Sequence, residues 1–196
     1  WIVWINSDDF LLPGALKRVE AFIREHPDAR FIYSHCVFVD ENDAETSRRE
    51  ARYDKGLFEK WWKRGAGIPQ PGTFFARSLI RDYGFPDDQY HYTMDYEFWL
   101  RFHEDVTFHR LDAFTAAYRL HGASKTGSGN YTFLLEKARA SRKYFRRRKG
   151  PAKWAPLIEL HLAVGYGTVI EGLRRWEKGE KKEARRLLLK GYARNP

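Results

Sequence analysis

Apolar residues along this chain change their spacing several times, and each change marks an element. Residues 1–5, Trp-Ile-Val-Trp-Ile, alternate little and predict a strand buried on both faces. Asn6-Ser7-Asp8-Asp9 follows as a polar turn. Pro13 then suits a first helical turn, and Leu12, Leu16, Val19 and Ile23 keep a helical stripe to about Glu25, where His26-Pro27-Asp28 ends it. Phe31 to Val39 is rich in aromatic and β-branched residues and predicts a strand. Residues 40–56 are polar and aperiodic and predict a long exposed loop, followed by a short helix from Leu57 to Arg64 that Gly65-Ala66-Gly67 breaks.

Beyond that break, Gln70 to Phe75 predicts a short strand or turn, Ser78 to Tyr83 a helix, and Thr93 to Glu104 another. Two short strands are expected over 106–110 and 113–119. From Thr132 the spacing is helical throughout, over roughly 132–148, 154–178 and 181–194, with turns at Gly150-Pro151 and Lys178-Gly179. Strands alternating with helices and then helices alone predict an α/β domain over 1–130 followed by an α-helical module over 131–196.

Charge sharpens that division. Residues 1–130 hold 17 Lys and Arg against 20 Asp and Glu, whereas residues 131–196 hold 18 against 6, so the net +9 belongs to the tail. A mildly acidic front argues against a nucleic-acid-binding protein. The single cysteine, Cys36, excludes an internal disulfide, and there is no CxxC pattern. No apolar run approaches the ~20 residues of a membrane span, and no signal segment opens the chain, so a cytoplasmic address is expected. Arg146-Arg147-Arg148-Lys149 beside Trp154 is the feature suited to peripheral contact with anionic lipid, although such runs are more often solvated faces. Trp1 opens directly on a strand of buried character, from which earlier strands are expected to precede it.

Three places carry candidate chemistry. Asp8 and Asp9 follow a buried strand, at the carboxyl edge where α/β sheets bind ligands; adjacent carboxylates suit Mg²⁺ or Mn²⁺, or else an Asx turn capping the next helix. Asp95 shares a helical face with Phe98, Trp99 and Phe102, while Glu97 and Arg101 are spaced to pair elsewhere. Placed there, Asp95 is either a partly desolvated base or a helix-start aspartate answering the dipole. In Tyr118-Arg119-Leu120-His121-Gly122-Ala123-Ser124-Lys125, Arg119, His121 and Gly122 suit a phosphate site, with an ordinary loop histidine as the plain alternative, and Arg119 and Lys125 are candidate substrate-binding residues. His35, His91, His103 and His109 have no metal-ligand spacing. Neither a P-loop nor a G-x-S-x-G elbow is present.

In order, Trp-Ile-Asn-Ser-Asp-Asp-x-x-Leu-Pro-Gly-Ala-Leu, Pro-Gln-Pro-Gly-Thr-Phe-Phe, Met-Asp-Tyr-Glu-Phe-Trp-Leu-Arg and Tyr-Arg-Leu-His-Gly-Ala-Ser-Lys-Thr resemble glycosyltransferase family 2 over residues 1–126. The resemblance implies a GT-A fold, a Rossmann-like mixed sheet flanked by helices, and inverting sugar transfer from a nucleotide-diphospho-sugar to a glycan or lipid-linked acceptor. By position it makes Asp8 and Asp9 the acidic metal motif, with Asn6 standing where many members have its first aspartate. It makes Asp95 the base, with Met94 in place of the glutamate that often precedes it. Gln70 and Thr73 match the segment lining the sugar and acceptor pocket, and His121 a histidine near metal and diphosphate. The Gln-x-x-Arg-Trp motif of processive synthases is absent, which favours transfer of single sugars in envelope or exopolysaccharide synthesis. The family's base-binding segment has no counterpart here, so the chain resembles an N-terminally truncated member.

The tail has a partial resemblance of its own. Ala184, Leu188, Gly191 and Pro196 are spaced like the second helix of a tetratricopeptide repeat, with Gly172 as the small residue of the first helix and Thr168 in place of the usual tryptophan. One repeat cannot bury its own face, so either more repeats follow Pro196 or this is a helical hairpin packed on the domain, the favoured reading. Two rival readings are a non-catalytic GT-A remnant that binds a protein partner, and a metal-dependent phosphodiesterase using Asp8, Asp9 and His121.

Overall fold

The computed structural model of the protein describes residues 1–63, 67–120 and 131–194. It is a mixed α/β structure whose strands are β1 (Ile2–Val3), β2 (Phe10–Leu11), β3 (Phe31–Val39), β4 (Glu45–Arg49), β5 (Thr73–Phe75) and β6 (Phe108–Arg119). They form one sheet in the order β1-β5-β3-β6-β2, with β4 also paired to β3. β3 and β6 run parallel, and the other pairings are antiparallel. β5 and β4 share one edge of β3 while β6 takes the other, so all nine β3 residues are buried. This central position is why Phe31–Val39 reads as a nearly continuous apolar run.

The helices are α1 (Ala15–Glu25), α2 (Lys55–Glu59), α3 (Ser78–Tyr83), α4 (Met94–Leu100), α5 (Tyr131–Arg147), α6 (Trp154–Glu177) and α7 (Lys181–Tyr192). α1 begins after Gly14, whose φ of 78° only glycine adopts readily, and not within the turn at Pro13. That start turns Ala15, Val19, Phe22 and Ile23 inward and leaves Leu16, an expected member of the stripe, exposed.

An aromatic core fills the space between the sheet and α4. Phe31 packs against Phe108 at 4.1 Å between ring centroids, and Phe58, Trp99 and Phe102 close around them. α5 enters the same core through Ala140, Tyr144 and Phe145. The expected boundary over 125–131 falls almost entirely outside the described residues, and the helix after it is built into the first domain's core.

The polar stretch 40–56 is not a loop throughout, because it contains β4. The Asp40 carboxylate accepts the N–H groups of Asn42 (2.8 Å) and Ala44 (3.0 Å), and Asp43 takes φ 66°. This closes a hairpin onto Cys36–Val39. All five β4 residues are exposed, so no apolar alternation advertises the strand. The two strands expected over 106–119 are one, kinked opposite Ser34 and His35, where His35 Nε2 meets Asp112 Oδ1 at 2.9 Å. α6 and α7 form a close hairpin through the turn at Gly179. No helix among the described residues is long and apolar enough to cross a membrane.

Candidate functional site

β3 and β6 end side by side, and the turn Asn6–Asp9 lies against their carboxyl ends. Asp9 is buried and held from both sides: Arg119 N–H donates to its Oδ1 (2.9 Å) and Asn6 Nδ2 to its Oδ2 (2.9 Å). Burial raises the Asp9 carboxyl above its ordinary value, and these two donors pull it back. The Arg119 guanidinium donates to the carbonyls of Asp8 (2.9 Å) and Asp40 (3.1 Å) and pairs with Asp43 at 2.6 Å. Arg119 therefore staples the acidic turn to the β3–β4 hairpin. Each Asp9 oxygen accepts a protein hydrogen bond, so Asp9 clamps the turn that carries Asp8. Among the described residues no three His, Cys, Asp or Glu side chains group as a metal cage. His121 and Lys125 lie outside the described residues.

A cleft of about 400 Å³ opens beside this turn. Trp4, Asn6 and Gln70 line it on one side, and Tyr92, Asp95 and Lys137 also face it. Gln70 ties the parts together, for its Oε1 accepts from Asn6 Nδ2 (3.2 Å) and its Nε2 donates to the Trp4 carbonyl. Thr73 does not line the cleft; buried below it, its hydroxyl donates to the Gln70 carbonyl at 2.7 Å. The cleft thus brings Asn6, Gln70 and Asp95 together, with Asp9, Thr73 and Arg119 as the layer that positions them.

Asp95 occupies the first turn of α4. Its environment is largely apolar, so desolvation raises the carboxyl above the usual range, while the Tyr96 N–H at 2.7 Å and the charge of Lys137 oppose the rise. Glu97 points away to Arg101 Nε at 2.9 Å, as its spacing predicts. The loop entering α4 is held from α5, where the Glu136 carboxylate accepts the N–H groups of His91 (3.2 Å) and Tyr92 (2.7 Å).

Lys137 escaped the sequence reading, which assigned all of α5 to a basic tail. Its ammonium sits over the rings of Tyr96 (4.8 Å), Trp61 (5.4 Å) and Phe133 (5.4 Å). Burial among these rings lowers it to about 8, and Asp95 partly offsets that fall. The signal was present as spacing: Phe133, Lys137, Ser141 and Tyr144 follow one face of a helix whose exposed positions are also basic. The aromatic walls are equally unannounced, because Trp4, Trp61 and Phe133 come from three separate stretches of the chain. Cys36, fully buried beneath Gly72, is raised to about 12 and is no nucleophile. No family model and no curated protein matches the chain.

Proposed function

We propose that the cleft is the acceptor side of an inverting glycosyltransferase of GT-A type, with Asp95 as its general base. The observation that carries this reading is the desolvated Asp95 carboxylate in an aromatic cleft beside an acidic strand-end turn. Aromatic faces stack on the apolar faces of sugar rings, and a desolvated carboxylate approaches the basicity that proton abstraction from a hydroxyl requires. The order of the sequence blocks supports the same assignment, and single-sugar transfer follows from the missing processive motif.

In the mechanism, Asp95 takes the proton of an acceptor hydroxyl held against the cleft wall. That oxygen attacks the anomeric carbon of a nucleotide-diphospho-sugar from the face opposite the diphosphate, and no covalent enzyme intermediate forms. Lys137 limits the desolvation cost of the Asp95 anion and holds it ready. Asn6 and Gln70 fix the floor of the cleft next to Asp8. A divalent cation, Mn²⁺ or Mg²⁺, would be held by Asp8 and Asp9 and would supply Lewis-acid neutralisation of the departing diphosphate. Asp9 and Arg119 keep the Asp8 backbone in place.

A second reading is a non-catalytic module that binds a partner in this cleft, with Asp9 serving to clamp the turn through Asn6 and Arg119. Calorimetric titration with UDP and GDP, with and without Mn²⁺, separates the two. Transfer predicts metal-dependent nucleotide binding that Asp8→Ala abolishes and Asp95→Asn leaves intact. Absence of both metal and nucleotide affinity would favour the binding module.

A further inference from the structure

The α6–α7 hairpin has a face that the other described residues do not cover. α5 packs on one side of α6 through Ala138, Leu160 and Val164, and α7 packs beside α6 along its second half. At 3.6 residues per turn, Ile158, Leu162, Tyr166 and Leu173 fall within roughly a quarter-turn arc of α6, away from α5. On the antiparallel α7, Leu189 and Tyr192 are exposed as well. These six side chains are between 42% and 73% exposed. So large an exposed apolar surface marks an interaction site on a folded protein.

The unpaired charge around this face is mostly positive. Lys181, Lys182 and Arg185 line an open groove with Trp176 at the turn of the hairpin. None of the three has an acidic partner within 4.0 Å among the described residues; the nearby Glu171, Glu180 and Glu183 are all engaged by Arg175. Glu177 is the exposed acidic residue left at the edge. Trp154, also exposed, adds a second indole at the other end of α6. A surface of Ile, Leu, Tyr and Trp rimmed by unpaired Lys and Arg matches a bilayer interface, where rings and aliphatic chains enter the headgroup region and cations meet lipid phosphate.

We propose that this face of the α6–α7 hairpin docks the protein on an anionic membrane surface. The docking element differs from the Arg146–Lys149 run, whose Arg148 is spent within the protein on Glu59 at 2.6 Å and Glu104 at 3.0 Å. Docking is peripheral: the apolar face supplies depth and the basic rim selects anionic lipid. It does not depend on the chemistry proposed for the cleft.

The test is flotation of the full chain with vesicles of phosphatidylcholine alone and of phosphatidylcholine mixed with phosphatidylglycerol. Binding is expected to the mixed vesicles only, weakened by high salt. Charge reversal at Lys181, Lys182 and Arg185 to Glu should weaken it roughly tenfold or more, and Ile158, Leu162 and Leu189 to Ser should weaken it similarly. All six positions are on the surface of the hairpin, so both variants keep the parent's circular dichroism spectrum. Failure to float with anionic vesicles overturns the proposal, as does binding that both variants retain. Concentration-dependent self-association abolished by the serine variant, without vesicle binding, would instead assign the face to a second copy of this chain.

Discussion

Burying an ionisable side chain costs stability unless its charge is well matched, and Asp95 and Lys137 both incur that cost in the cleft. The Asp95 carboxyl titrates higher in the folded chain than in the unfolded one, so the folded form gains stability as pH falls through the folded value and forgoes it at neutral pH. Asp95→Asn is therefore expected to raise the melting temperature at neutral pH while cutting turnover by roughly 10²–10⁴-fold. A lowered melting temperature would mean that Asp95 serves as a structural helix-start residue. Lys137 titrates at about 8, below its ordinary 10.5, so its penalty is complete below about pH 8 and is relieved as pH rises towards 10.5. Lys137→Met should stabilise the fold by on the order of 1 kcal/mol at neutral pH, after allowance for partial exposure, and by less near pH 10. Urea midpoints at the two pH values measure the difference; equal gains would deny that ionisation is the cause. Asp95 was legible in the sequence because apolar neighbours at helical spacing surround it. Lys137 was not, because one lysine among eighteen cations carries no local mark of burial.

Elements were legible where a single face or a punctuating residue decides them. β3 showed as an apolar run because it is covered on both faces, α3 stood between clear breaks, and the α6–α7 hairpin announced itself by Gly179. β4 was hidden because its partner supplies the burial and its own five residues face solvent. β2 was hidden by brevity: it has two residues, paired to Ala116 and Ala117 of β6. The hairpin's glycines show how sequence encodes a packing distance. A Cβ on Gly191 would lie 2.5 Å from Val169 Cγ2 and 3.1 Å from the Gly165 carbonyl, and one on Gly172 would lie 3.0 Å from Leu188 Cγ. Gly191→Ala must therefore push α7 off α6, since the backbone contact cannot yield. The expected loss is ~1–3 kcal/mol, the usual range for overpacking, partly offset by the better helix propensity of alanine. Hydrogen exchange should accelerate across Lys181–Tyr192 while β3 keeps its protection. Unchanged exchange in α7 would show that the hairpin is looser than these contacts require.

At the scale of the whole molecule, the uneven charge of the sequence marks an acidic front followed by a basic helical tail, and α5 packs into the core of the front. Glu59 and Glu97, both buried in the front, pair with cations on and just after α5: Arg148 at 2.6 Å and, beside Arg101, Lys143 at 2.8 Å. Tyr144 also donates to Glu59 at 2.8 Å, and Ala140 and Phe145 complete the aromatic core. The excess positive charge therefore divides by function: part neutralises the interior of the α/β unit, and part remains on the α6–α7 face. The sequence could not show this division, because pairing across 46 and 89 positions leaves no periodic trace. A cut at residue 130 tests it. The fragment 1–130 would keep every strand but lose α5, leaving the aromatic core open and Glu59 without its charged partner; stranding a buried charge alone costs ~3–5 kcal/mol, a large share of a typical domain's stability. The fragment should lack a cooperative thermal transition and bind a hydrophobic dye, whereas 1–150, which retains α5, should melt cooperatively. A cooperative 1–130 fragment would show instead that the α/β unit ends where the charge changes sign, and α5 would then be an accessory to the cleft and not a part of its foundation.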